Sequence, residues 1–143
     1  MLPPELLQEI QSAIAGKQDC ADFLVLYGKY VELYDDYVDQ DKEPVTIHDI
    51  HSAATILYST PYWRANAHKL FVLEGAIHHI YKTSVLWEQD KNPEWMRRDA
   101  KALSHIGYAM LIGVLYLENP DAIKSIAPKI MEHCHKAHLG DKV

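Results

Sequence analysis

The chain has 143 residues, 48% of them apolar and 24% charged, which suits one folded domain over residues 1–143 and excludes a disordered or low-complexity polymer. Its net charge of −6 has a local origin: residues 32–43 hold six acids against Lys42, a net of −5, so the rest of the chain is near neutral and lacks the basic surplus of a non-specific nucleic-acid binder. Cys20 and Cys134 stand far apart, which excludes a disulfide scaffold and a paired zinc motif.

The opening Met-Leu-Pro-Pro-Glu has neither a basic nor an apolar leader segment, so no secretory signal is expected and the predicted compartment is the cytoplasm. Pro3 and Pro4 precede Leu6, Leu7, Ile10 and Ile14, the spacing of a short helical arm that Gly16 closes. A second helix over about 20–38 carries Phe23, Leu26, Tyr27, Tyr30, Leu33, Tyr34 and Tyr37 at i, i+3, i+4 spacing, with Asp19 as its cap and a loop at Gln40–Pro44. Thr46 and Asp49 form a loose capping box for a third helix reaching about Ser59.

Thr60-Pro61, Asn92-Pro93 and Asn119-Pro120 repeat one start signal, an N-cap residue followed by proline at the first helical position. They predict a long fourth helix at about 61–89, a fifth at about 93–118 and a sixth from 120 that kinks or breaks near Pro128 and stops at Gly140. The short link between the fourth and fifth predicts an antiparallel hairpin. The fold class is therefore all-α, a five- or six-helix bundle around that hairpin.

On the fourth helix Trp63, Ala67, Leu70, Ile77, Tyr81 and Ser84 share one stripe, with Leu73, Ile80 and Trp87 beside it and Arg64, His68, Gly75, His79 and Lys82 outward. Residues 106–117 of the fifth are apolar on every face, so other helices or another subunit must surround them; a homo-oligomer is expected, with Gly107, Ala109 and Gly113 permitting close approach. The apolar run Leu103–Leu117 falls short of the ~20 residues of a spanning helix, so no membrane partner is expected. Arg97, Arg98 and Lys101 are offset by Glu94 and Asp99, and no nucleic-acid partner is expected there.

Two constellations can carry chemistry. Glu32, Asp35, Asp36 and Asp39 fall at i, i+3, i+4, i+7, one helical face on which like charges repel unless something positive meets them. That partner can be Mg²⁺ or Mn²⁺ on the four carboxylates. It can equally be a basic protein docking on Tyr34, Asp35, Asp36, Tyr37 and Asp39, where rings anchor and acids steer. The acidic face resembles the motif of all-α nucleotide pyrophosphohydrolases, which implies magnesium held over a nucleoside triphosphate by acids from two successive helices. The chain departs from that pattern: aspartates replace paired glutamates, and the second acidic pair is reduced to Asp49.

Glu74 lies in the apolar stripe of the fourth helix with His78 at i+4, and a carboxylate there needs a partner. A tyrosine hydroxyl, Arg64, a histidine or a metal such as zinc or iron on Glu74, His78 and His79 would serve. His48 and His51 are also a helical pair, and His133-Cys134-His135 with His138 reads as an exposed helix end able to hold a soft metal. The serine-elbow, phosphate-loop, dinucleotide and His-Glu-x-x-His motifs do not occur. The leading expectation is a non-catalytic interaction, regulatory or inhibitor protein that presents the acidic-aromatic face. A metal-dependent hydrolase and a helical-bundle metal-binding protein are the alternatives.

Overall fold

The computed structural model describes residues 2–39 and 44–138, and among these the regular elements are all helical. They are α1 (Pro4–Ala13), α2 (Gln18–Asp39), α3 (Ile47–Tyr58), α4 (Pro61–Trp87), α5 (Glu94–Leu103), a 3-10 turn (Ser104–Gly107), α6 (Tyr108–Glu118) and α7 (Pro120–His138). The expected all-α class holds, and α5, the 3-10 turn and α6 together occupy the place of the expected fifth helix. The predicted loop residues 40–43 and the stop at Gly140 lie outside the described residues. The chain divides into two compact units, Gly16–Lys69 and Met1–Ala15 with Leu70–Val143, and α4 contributes its start to the first and its remainder to the second.

The Gly16–Lys69 unit packs α2 against α3. Cys20, Phe23, Tyr27, Tyr30, Ile50, Leu57 and Tyr62 are its buried apolar side chains, and the aromatic spacing of α2 predicts Phe23, Tyr27 and Tyr30 among them. Helix α2 begins at Gln18, so Asp19 sits in its first turn rather than at its cap. The Thr46 hydroxyl accepts from the Asp49 N–H at 3.2 Å while the Thr46 N–H donates to Asp49 Oδ2 at 2.8 Å, so the capping box closes in both directions with aspartate in place of the usual glutamate. At the start of α4 the Thr60 hydroxyl accepts from the Trp63 N–H at 3.3 Å and donates to the Leu57 carbonyl at 2.8 Å, tying the end of α3 to the next helix.

The hydrogen bonds from Thr46, its backbone N–H first and its hydroxyl second, hold the Asp49 carboxyl below its ordinary value of 3.8. Because the folded value is depressed, the box contributes fully above the unfolded value and is lost as pH falls through the folded one. In an NMR titration the Asp49 carboxyl carbon and the Thr46 amide proton should therefore move together, with a midpoint below 3.8. Thr46→Val should return that midpoint part of the way, since it removes the hydroxyl and keeps the amide. A midpoint indifferent to Thr46→Val would exclude the hydroxyl's share.

In the second unit α1 lies on α6 and α7, burying Leu2, Leu6, Ile10 and Ile14. Gly16 follows with φ +77°, the left-handed conformation that ends such a helix at little cost only in glycine. Asn119 caps α7 through Oδ1, which accepts from the Ala122 N–H at 3.3 Å, and its Nδ2 donates to the Ala13 carbonyl at the end of α1, also at 3.3 Å. Lys129 and Glu9 form an ion pair between the same two helices.

Three local expectations need correction. Asn92 does not cap α5. Its Nδ2 turns back to the Leu86 and Trp87 carbonyls at 2.7 and 3.2 Å, satisfying the end of α4, and Pro93 stands at the cap of α5 without a side-chain bond. The predicted fifth helix tightens into a 3-10 turn at Ser104–Gly107, where the Ser104 hydroxyl donates to the Lys101 carbonyl at 2.7 Å and glycine closes the turn. Finally, of the kink or break expected near Pro128, the break does not occur: α7 runs through it as one helix.

Helix α6 is wrapped only in part. Met110, Val114 and Leu115 are buried, most of its other residues are half-buried, and Tyr116 and Leu117 are exposed. Gly113 faces α4, where a Cβ would stand 2.5 Å from Leu73 Cδ2. By length and composition alone Glu94–Glu118 is apolar enough to cross a bilayer. The segment is 25 residues long with only 22% of its apolar window buried, so the shortness of Leu103–Leu117, on which the expectation of no membrane partner rests, does not hold for the helical segment as folded.

Candidate interaction face on α2

Along α2 the aromatic rings form a continuous ladder. Phe23 and Tyr27 have centroids 6.0 Å apart, Tyr27 and Tyr30 6.2 Å, and Tyr30 and Tyr34 6.2 Å. Tyr58 of α3 joins it at 6.4 Å from Tyr30 and 4.8 Å from Trp63, while Tyr62 and Trp63 of α4 close on Phe23 at 5.4 and 6.1 Å. Each such pair adds ~0.5–1.5 kcal/mol beyond the area it buries. The ladder fixes how α2 is rotated about its own axis, and so fixes which residues it turns outward.

At about 100° per residue, Glu32, Asp35, Asp36 and Asp39 centre on the side of α2 opposite Phe23, Tyr27, Tyr30, Tyr34 and Tyr37. Exposure follows that geometry. Glu32 and Asp39, at the middle of the acidic side, are exposed, whereas Asp35 and Asp36, on its flanks, are half-buried. Tyr34 and Tyr37 are half-buried too, and the Tyr34 ring packs on Tyr30. The expected mixed surface of acids and rings thus resolves into an acidic front and an aromatic back.

The structure does not bring the expected metal ligands together: among the described residues no group of three or more His, Cys, Asp or Glu side chains is placed to hold a metal ion. Asp49, the acid on the next helix that a nucleotide pyrophosphohydrolase site would need, spends its carboxylate on the Thr46 cap. His48 and His51 are exposed. Glu74 is buried, as its place in the stripe predicts, and bonds His78 Nε2 at 2.7 Å through Oε1, so histidine is one of its partners.

The end of α7 differs from its reading as an exposed segment. His133 and Cys134 are buried, continuing the inward stripe of Ile126 and Ile130, while His135 is exposed. The Tyr108 ring meets His133 edge-on at 6.5 Å. Burial, and then the neighbouring Cys134, push the Tyr108 hydroxyl above its ordinary value, and burial likewise raises the Cys134 thiol. A thiol held protonated in this way is a poor nucleophile and a poor metal ligand. The i, i+4, i+8 spacing of Ile126, Ile130 and Cys134 carried that signal in the sequence.

Unit Met1–Ala15 with Leu70–Val143 also has an open groove of about 860 Å³ between α1 and the start of α7, lined by Glu5, Gln8, Ser12, Asn119, Ser125 and Ile126 among others. No protein family, curated protein or solved structure matches the chain.

Proposed function

We propose that this chain is a non-catalytic interaction or regulatory protein whose docking surface is the acidic side of α2, and that its partner presents a basic face. The observation that carries this reading is the ring ladder behind the acids. Seven aromatic side chains, Phe23, Tyr27, Tyr30, Tyr34, Tyr58, Tyr62 and Trp63, hold α2 in one rotation, so four carboxylates at i, i+3, i+4, i+7 are set along one line. Glu32 and Asp39, at the middle of that line, are exposed. Such a surface steers association and fixes register more than it adds raw affinity.

The test is capture of binding proteins by the intact chain and by the triple variant Asp35→Asn, Asp36→Asn, Asp39→Asn. The variant should fold with an unchanged helical circular dichroism spectrum and lose capture of basic proteins at least tenfold. Capture that survives the triple substitution would overturn the reading.

A further inference from the structure

The rod Glu94–Glu118, made of α5, the 3-10 turn and α6, has only 22% of its apolar window buried. A core helix of that composition is enclosed, whereas this one is open along an identifiable side. Met110, Val114 and Leu115 are buried, α6 packs on α7 and α1, and Leu73 of α4 fills the space at Gly113. At about 100° per residue, the arc left between Leu115 and Gly113 holds Ala109, Ile112 and Tyr116, at i, i+3 and i+7. Tyr116 is 63% exposed and the other two are half-buried. Counting about 100° per residue in α5 and α6 and about 120° through the 3-10 turn brings Trp95 and Arg98 within roughly 60° of Ile112. Both are exposed, and Trp95 is braced edge-on by Trp87 at 5.9 Å. Arg97 and Lys101 flank them, and with Glu94 and Asp99 leave α5 at a net charge of +1.

We propose that this side of the rod docks on a lipid bilayer, with Ala109, Ile112 and Tyr116 at the acyl boundary and Trp95 and Arg98 at the level of the headgroups. The surface shares no residue with the acidic side of α2. Its order along the rod is that of a helix lying in a membrane interface: a cation and a tryptophan first, then aliphatic residues, then a tyrosine. Tryptophan and tyrosine suit the two ends because each ring is apolar in body and polar at one edge. Arginine suits the polar end because its stem lies along apolar surface while its planar fork pairs with phosphate. The rod lies on the bilayer and does not cross it. The helices that cover its other side, α1 and α7, expose Gln8, Lys124 and Lys129, groups that the hydrocarbon core rejects. Lipid fits the open arc better than a second helix does, since the close approach that Gly113 would permit is already taken by Leu73. With a net charge of only +1 on α5, apolar contact leads and attraction to anionic headgroups adds to it.

The experiment is co-sedimentation of the intact chain with phosphatidylcholine vesicles, with and without phosphatidylserine, beside the variant Trp95→Glu with Tyr116→Glu, whose two positions are 51% and 63% exposed. The unaltered chain should partition onto both kinds of vesicle and more strongly onto the anionic one. The double variant should keep its helical circular dichroism spectrum and lose about tenfold or more in partition. Arg98→Glu should remove most of the preference for anionic vesicles and leave partition onto neutral ones unchanged. Brominated phosphatidylcholine reads the same contact without any charged variant: it should quench tryptophan emission of the unaltered chain, and Trp95→Phe should remove the quenched share. No partition onto either vesicle, partition indifferent to the double variant, or quenching that survives Trp95→Phe would overturn the proposal. A chain that ignores vesicles but forms a dimer in light scattering, lost in the double variant, would overturn it too and assign this side of the rod to a second copy.

Discussion

Phe23→Ala is expected to destabilise the Gly16–Lys69 unit by about 3–5 kcal/mol, the usual cost of removing a fully enclosed aromatic ring. Phe23 is 0% exposed and meets Tyr27, Tyr62 and Trp63, so its loss opens a cavity where α2 and the start of α4 converge and withdraws three ring contacts at once. Phe23→Leu should cost well under half as much, since it keeps most of the apolar volume and loses only the ring geometry. Hydrogen exchange of the α2 and α3 amides reads this unit by itself, without assuming that the whole chain unfolds in one step. Protection that falls by less than tenfold in the alanine variant would mean that Phe23 is not the hub of the ladder. The same variant bears on function, because a loosened ladder releases the rotation of α2 and should weaken capture through the acids without touching any of them.

What could be read from the residues alone was whatever is decided within one helical turn. The Thr46–Asp49 box and the Thr60 and Asn119 caps formed as expected because hydroxyl, carboxylate or amide and orphan N–H groups lie three residues apart, whatever the rest of the chain does. The buried stripe of α4, Leu70, Glu74, Ile77 and Ser84, was legible for the same reason, since one apolar face stands out against charged neighbours. Asn92 was misread because its amide has two helix ends within reach and the carbonyls of α4 are the nearer need. Tyr62 was passed over beside Trp63, and its burial is settled by Phe23, nearly forty positions earlier.

Glu32, Asp35, Asp36 and Asp39 do share one side of α2, but Tyr34 and Tyr37 do not belong to it. Adjacent in sequence, Tyr34 and Asp35 look like one surface; rotated about 100° per residue they part, and only the ladder across three helices shows which side is held inward. Helix α6 was the least legible element. With no polar side, its pattern says that it must be covered and nothing about the direction of the cover. Its packing on α7 and α1 buries Met110, Val114 and Leu115, and Leu73 approaches Gly113.

That approach gives a prediction whose sign depends on size. At Gly113 an alanine Cβ would stand 2.5 Å from Leu73 Cδ2 and 4.0 Å from its Cγ, so one mobile methyl is in the way and no backbone is. Turning Leu73 to another rotamer costs about 0.5–1.5 kcal/mol, while alanine in place of a mid-helix glycine returns about 0.5–1 kcal/mol, so Gly113→Ala should be close to neutral. Gly113→Leu has no such escape, because its branched end needs the volume that the whole Leu73 side chain fills, and overpacking of that kind costs about 1–3 kcal/mol or more. Combining Gly113→Leu with Leu73→Ala should recover much of the loss, a coupling of at least 1 kcal/mol in a double-mutant cycle. Denaturant unfolding of the four proteins supplies that cycle. Strict additivity would show that Gly113 and Leu73 do not share a site. A large loss from Gly113→Ala alone would mean that Leu73 is locked in place and that α4 and α6 meet here backbone to side chain, with no slack between them.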